Sequence, residues 1–264
     1  MKIIKIPSSQ GGLGKADGSE LAPDKIIEQT KELFMSEDKV LPVFDVDSVD
    51  VISSNIEETN KNIFNKAKEA LSNNTKPLFL GGDHSVTFPI VKAFSETYPS
   101  NPGIIIFDAH PDCENDFTPP TQEDLVNGLV NQNIIKKENI ILVGIRNWDK
   151  NEIEFLSKNN IKYFSMKEIM ANGIHDVSDS FMSVAKDFSD LYISIDIDVL
   201  DPAFAPGTGY IEPGGLSTRE LLFFLQRLKR LKNLRAYDLV EINPAKDIND
   251  MTSKVGAKIL VELC

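Results

Sequence analysis

Three histidines occur in 264 residues, and two of them sit in short runs dense in aspartate. His84 lies in GGDHS (81–85), and His110 lies in DAHPD (108–112) beside Asp108 and Asp112. A further run, SIDID (194–198), carries Asp196 and Asp198. Residues two apart in an extended segment leave the same face, so the spacing predicts that Asp108, His110 and Asp112 converge, and that Asp196 and Asp198 do the same. His84 follows the Gly81-Gly82 pair, which permits a close backbone approach. Carboxylates gathered into one pocket repel, each close pair costing roughly 4 kcal/mol at about 4 Å and an effective dielectric near 20. No Lys or Arg stands beside these motifs to neutralise them, whereas two divalent cations would. Oxygen and imidazole donors suit manganese and similar ions, while structural zinc usually recruits thiolates. Six ligands are expected: His84, Asp108, His110, Asp112, Asp196 and Asp198.

The elements that must position them follow from hydrophobic pattern. The apolar runs IIKI, PLFLGG, GIIIFDAH, IILVGI, KYFS, LYISIDIDV and LRAYDLVEINP read as strands. Between them, Ile56 to Ser72, Val86 to Glu96, Glu152 to Lys158, Ser217 to Leu231 and Thr252 to Leu263 place apolar residues three and four apart and read as helices. This alternation predicts an α/β fold, a three-layer α/β/α sandwich with a mainly parallel sheet, formed by residues 1–264 as one domain. In such sheets ligands gather beyond the carboxyl ends of the strands, and GGDHS, DAHPD, the DID run and EINP (241–244) all follow strands. TPPT (118–121) and the Pro- and Gly-rich stretch 203–215 read as ordered loops.

Charge narrows the partners. Lys and Arg number 28 against 40 Asp and Glu, a net charge of −12, which disfavours nucleic acid and anionic lipid and favours cationic small molecules and divalent metals. With 41% apolar and 26% charged residues the chain reads as globular. No signal peptide or bilayer-length apolar run is evident, so the cytoplasm is expected. Two cysteines, Cys113 and Cys264, cannot build a disulfide framework, and no base adjoins Cys113 to make it a nucleophile. Asp201, three residues past Asp198 and before a proline, suits a turn. His175 reads as a solvated residue at a helix start.

GGDHS, DAHPD, SIDIDVLDPAFAPGTGY and EINP, in this order from Gly81 to Pro244 and supported by GIR at Gly144 to Arg146, resemble the motifs of the ureohydrolase family of arginases and agmatinases. The resemblance implies an arginase-like fold and two Mn²⁺ ions. His84, Asp108, Asp112 and Asp196 would hold one, and His110, Asp108, Asp196 and Asp198 the other. It implies metal-assisted hydrolysis of a linear amidine or guanidine C–N bond, with urea released from a guanidine and a bridging water deprotonated between cations about 3.5 to 4 Å apart. Glu241 would grip the substrate guanidinium, Asp149 would meet the substrate tail, and the protein would be a homo-oligomer, a trimer or hexamer.

One departure from the family stands out. Its active members usually carry a proton-transferring His in an HG pair after DAHxD. Here the corresponding segment is FTPPTQEDLVNGLV (117–130), with Asn127-Gly128 as the nearest match, and Asn cannot exchange a proton near neutral pH. Asn127 is then expected at the substrate and Asp112 as the proton acceptor, with Glu123 or Asp124 as helpers. A variant guanidine or amidine hydrolase is favoured over an arginase. Two rivals stand beside it: a non-catalytic metal-binding regulator, and a metal-dependent deacetylase, which would want adjacent histidines that this chain lacks.

Overall fold

The β-branched and aliphatic runs form eight strands, all parallel: β1 (Lys2–Lys5), β2 (Asp45–Ser48), β3 (Leu78–Leu80), β4 (Pro102–Phe107), β5 (Ile140–Ile145), β6 (Lys162–Ser165), β7 (Asp190–Asp196) and β8 (Leu234–Val240). They belong to a computed structural model that describes residues 1–73 and 75–264. The helices are α1 (Ala22–Thr30), α2 (Ile56–Leu71), α3 (Thr87–Thr97), α4 (Leu125–Asn131), α5 (Lys150–Asn159), α6 (Met166–Asn172), α7 (Ile174–Ala185), α8 (Thr218–Leu228) and α9 (Met251–Leu263). The sheet, expected to be mainly parallel, has no antiparallel pair among the described residues.

Side chains of one strand alternate between two cores. Ile105 and Phe107 of β4 join Ile193, Ile195 and Leu239 against α1 and α6 to α9. Ile104 and Ile106 join Tyr192, Ala236 and Val240 against α2 to α5. A sheet buried on both faces explains why its central strands read as continuous apolar runs, and this is the three-layer sandwich.

The strand order is β2-β1-β3-β8-β7-β4-β5-β6. The first three strands build outward on one side, β4 to β6 on the other, and β7 and β8 return to fill the middle. Neighbours β3, β8, β7 and β4 therefore end side by side, and these four strands precede or carry the acidic motifs. The expected strands and helices are present within a few residues of their boundaries. Missing from the sequence reading are α1, α4, α6, all of α7 but its start at His175, and the edge strand β2, whose DVDS side chains are mostly exposed.

Candidate metal centre and cavity

At the end of β3 the chain turns sharply at Gly82, where a Cβ would lie 2.0 Å from the Ser8 carbonyl oxygen. Only glycine fits there. The turn delivers Asp83, which accepts from the backbone N–H of Ser85 at 2.8 Å and of Gly11 at 3.0 Å, and then buried His84. His84 Nδ1 faces three carboxylates: Asp112 Oδ2 at 2.9 Å, Asp108 Oδ2 at 3.1 Å and Asp196 Oδ2 at 3.3 Å. His110 Nδ1 lies 3.0 Å from Asp198 Oδ2 and 3.4 Å from Asp108 Oδ1. Two donor groups result, His84 with Asp108 and Asp112, and His110 with Asp108 and Asp198. Asp108 belongs to both, and Asp196 adjoins the first.

The six residues thus meet, but not by strand alternation. The chain after Phe107 leaves the sheet, and Asp112 adopts a left-handed backbone with φ 51°. Asp198 lies in a 3-10 turn (Ile197–Val199), its N–H donating to Asp196 Oδ1 at 2.8 Å. Short hydrogen bonds set the rest of the geometry, from His110 N–H to Asp108 Oδ1 at 2.6 Å and from Ala109 N–H to Asp198 Oδ1 at 3.0 Å.

Electrostatics argue that the cluster is built for cations. Burial first, and then the neighbouring carboxylates, push Asp112 and Asp196 well above the usual carboxylate range. Burial works against charge on His84, yet Asp108, Asp112 and Asp196 outweigh it and hold the imidazole well above its ordinary value. His110 is raised likewise, with Asp198 and Asp108 overcoming its burial. Apart from one another, His84 Nδ1, Asp108 Oδ2 and Asp112 Oδ2 are buried with no hydrogen-bonding partner among the described residues. Orphaned donor atoms of this kind, all oxygen or imidazole nitrogen, fit divalent ions such as Mn²⁺.

Residues not singled out from the sequence complete the centre. His84 Nε2 lies 3.0 Å from Ser194 Oγ, and that hydroxyl donates to Asp238 Oδ1 at 2.7 Å. Asp238 also accepts from Tyr192 and Thr87, each at 2.8 Å. The signal was available: Ser194 and Asp238 are polar residues inside apolar strands and face each other in the β7–β8 register. Arg146, by contrast part of the GIR motif at the end of β5, spends its guanidinium on backbone carbonyls, reaching Asp198 O at 2.6 Å and Glu212 O at 2.7 Å. It fastens two loops at the site's edge.

A cavity of about 370 Å³ opens over the centre. Glu241, at the end of β8, lines it with φ 64°. Its Oε1 accepts from His84 N–H at 2.7 Å, and among the described residues Oε2 has no partner. Lys246 donates instead to the Lys15 carbonyl, at 2.6 Å. Burial and then Asp83 push the Glu241 carboxyl up. Asp149 lines the cavity but also caps α5, accepting from Asn151 N–H at 2.6 Å.

Asn127 is a correction. It lies on α4, is not among the cavity's lining residues, and accepts from Asn131 at 2.5 Å. The loop before α4 sends Gln122 and Glu123 to the cavity in its place. Of the expected helpers, Glu123 accepts from the Tyr210 hydroxyl at 2.6 Å, while Asp124 is bound up with Thr121 and Asn115 N–H. Asp201 accepts from three loop N–H groups as a turn residue. Cys113 is buried with its thiol pushed up, chiefly by that burial. His175 is exposed in the first turn of α7, its ring 4.7 Å from that of Phe223.

A parallel α/β sandwich with a His and Asp cluster at adjacent strand ends defines a metal-dependent hydrolase scaffold. Comparison with known proteins names the family. The sequence model described as "Arginase family" matches residues 1–264. An arginase of Staphylococcus aureus (strain COL) is 34% identical over 246 residues, 87% of this chain and 78% of that protein. The formimidoylglutamase of Bacillus subtilis (strain 168) is 30% identical over 271 aligned positions, 98% of this chain and 84% of that protein. The crystal structure of formimidoylglutamase from Bacillus subtilis superposes with a TM-score of 0.93 at 29% identity, covering 99% of this chain and 85% of that one. The chain belongs to the arginase family, and it is a hydrolase acting on carbon–nitrogen bonds in amidines or guanidines. No helix among the described residues is long and apolar enough to cross a membrane.

Proposed function

We propose that this protein is a binuclear manganese hydrolase of a linear guanidine or amidine whose tail is neutral or cationic, releasing urea when the substrate is a guanidine. The lining of the cavity carries this reading. Asp112, Asp196, Asp198 and Glu241 are joined there by Glu114, Glu123, Asp149, Glu152 and Glu212, and among the described residues no Lys or Arg lines it. Two divalent ions offset about four of these charges. The remaining acids attract an amidinium and a cationic tail, and they repel a carboxylate.

His84, Asp108, Asp112 and Asp196 would hold one ion, and His110, Asp108, Asp196 and Asp198 the second. When bound, the pair supplies Lewis acidity and activates water near neutral pH. The protein's own groups do the rest. Glu241 orients the amidinium through charge-assisted hydrogen bonds from its free oxygen, and Asp149 and its neighbours receive the tail. With the ions bound, the Asp112 carboxylate would accept the proton given up by water, and Glu123 lines the same cavity. The same reading takes the enzyme to be a cytoplasmic homo-oligomer of three or six, which light scattering and fractionation test.

The test is a panel of manganese-loaded assays with amine-tailed guanidines, arginine and formimidoylglutamate, followed by urea, ammonia or formamide. Amine-tailed guanidines should turn over fastest. Formimidoylglutamate, whose two carboxylates must enter an acid-lined cavity, should turn over slowest, and its preference would overturn the tail assignment. Catalytic silence has one observation in its favour: the histidines lining the cavity, His84 and His110, both belong to the metal cluster. Tight manganese and guanidine binding without any turnover would establish that regulatory alternative.

A further inference from the structure

The loop between Cys113 and α4 is fastened at several points. Gln122 N–H donates to Gly11 O at 3.1 Å, Glu114 N–H to Glu123 O at 3.1 Å, and Asn115 N–H to Asp124 Oδ1 at 2.9 Å. Thr121 Oγ1 donates to Asp124 Oδ2 at 2.5 Å. Within this tied loop Gln122 is an exception. It lines the cavity, is 4% exposed, and among the described residues neither its amide oxygen nor its amide nitrogen has a hydrogen-bonding partner.

A carboxamide carries an acceptor oxygen and two N–H donors, and buried groups of this kind are nearly always paired. Among the described residues the other orphaned atoms lining the cavity are His84 Nδ1 and Asp112 Oδ2, which the metal centre accounts for, and His110 Nε2, which lies 3.8 Å from Glu212 Oε1. Gln122 cannot be explained that way, since an amide is a poor ligand next to so many carboxylates. Its acceptor oxygen matches what a bound amidinium offers, while its N–H donors would face other acceptors of the substrate or water. An amidinium presents more N–H donors than Glu241 alone can accept. A neutral acceptor supplies the next bond without adding to the repulsion among the acids.

We propose that Gln122 is a substrate-binding residue, its Oε1 accepting a hydrogen bond from the amidinium of the substrate. This rests on the proposed function. Gln122 has no proton to exchange near neutral pH, so it orients the group under attack and takes no part in proton transfer. Glu241 and Gln122 then grip the same planar group from two elements, the end of β8 and the loop before α4. That arrangement fixes the face the amidinium turns toward the metal centre.

The experiment compares manganese-loaded wild type, Gln122→Ala and Gln122→Glu. Metal content, thermal midpoint, butylguanidine binding by calorimetry, and kcat and KM on a guanidine the wild type hydrolyses are measured for each. Gln122→Ala should keep its metal and its midpoint while binding butylguanidine about 10-fold or more weakly, the size expected for a hydrogen bond to a charged group. Gln122→Glu, which restores an acceptor, should recover binding. Unchanged binding in Gln122→Ala overturns the proposal. So does a drop in midpoint or metal content shared by both variants, which would make the amide structural. If the loaded wild type itself binds no guanidine, the proposed function falls and this inference with it, an outcome distinct from the other two.

Discussion

The His84 ring is constrained at both nitrogens, and this decides its chemistry. The Ser194 hydroxyl gives its proton to Asp238, so it can only accept at His84 Nε2. The ring therefore carries a proton at Nε2, and a cation held among Asp108, Asp112 and Asp196 would displace the proton at Nδ1 and take that nitrogen's lone pair. Partners of this kind fix ligand tautomer and orientation, and their loss typically costs 10- to 100-fold in metal affinity. Ser194→Ala should therefore weaken manganese binding by about that factor, with the fold intact because serine and alanine differ little in volume. Competition with a chelating dye measures it, and unchanged affinity would show that packing alone orients the ring. At this scale the six residues that meet in the cluster could be picked out by residue type and spacing, but the way they converge could not. Asp112 and Glu241 reach their places through left-handed backbone, a conformation costing about 1–3 kcal/mol for a residue other than glycine. No sequence rule would assign it to an acid, and only the surrounding hydrogen bonds enforce it.

Elements whose stability is local were legible, and elements stabilised by their neighbours were not. Helix α2, sixteen residues long with an Asn55 cap, announces itself by period. Helices α4 and α6, seven residues each, are too short to hold without tertiary packing. The exposed strand β2 shows no apolar alternation because it lies at the sheet's edge. The connection after α1 is likewise held by its neighbours. Glu37 accepts both N–H arms of Arg219 on α8, at 2.8 and 2.7 Å, and its own N–H donates to Glu262 on α9 at 2.8 Å. Arg219, then Gln226, hold the Glu37 carboxyl at about 2. Its folded pKa is depressed, so its contribution is complete above the ordinary glutamate range near about 4.3 and is lost as pH falls through about 2. The pair is solvent-exposed and screened, so Glu37→Gln should cost no more than about 1 kcal/mol at neutral pH. Urea unfolding should show that deficit shrinking toward about pH 3 and in high salt. A deficit independent of pH would assign the effect to shape instead of charge.

For the whole molecule, a net charge of −12 includes a buried set of acids where the four central strands end, and this makes the fold depend on what neutralises them. Without cations, burial and mutual repulsion keep Asp112 and Asp196 protonated above the usual range. The folded state then binds more protons than the unfolded chain, so stability falls as pH rises above about 4. His84 and His110, raised by their carboxylate partners against burial, act in the same direction. Their contribution is full below about 6.5 and is lost as pH climbs through their folded values. Metal binding runs the other way, because every ligand must be deprotonated. Chelation should thus lower the thermal midpoint, and the gap between loaded and stripped protein should widen from about pH 6 to about pH 8. At metal concentrations about 100-fold above Kd the linkage is worth about 2.7 kcal/mol, on the order of 5–10 °C for a chain of this size. Scanning calorimetry with and without chelator reads both quantities. A gap that is absent, or that narrows with pH, would mean that the buried carboxylates are neutralised by protons in the working protein and not by metal.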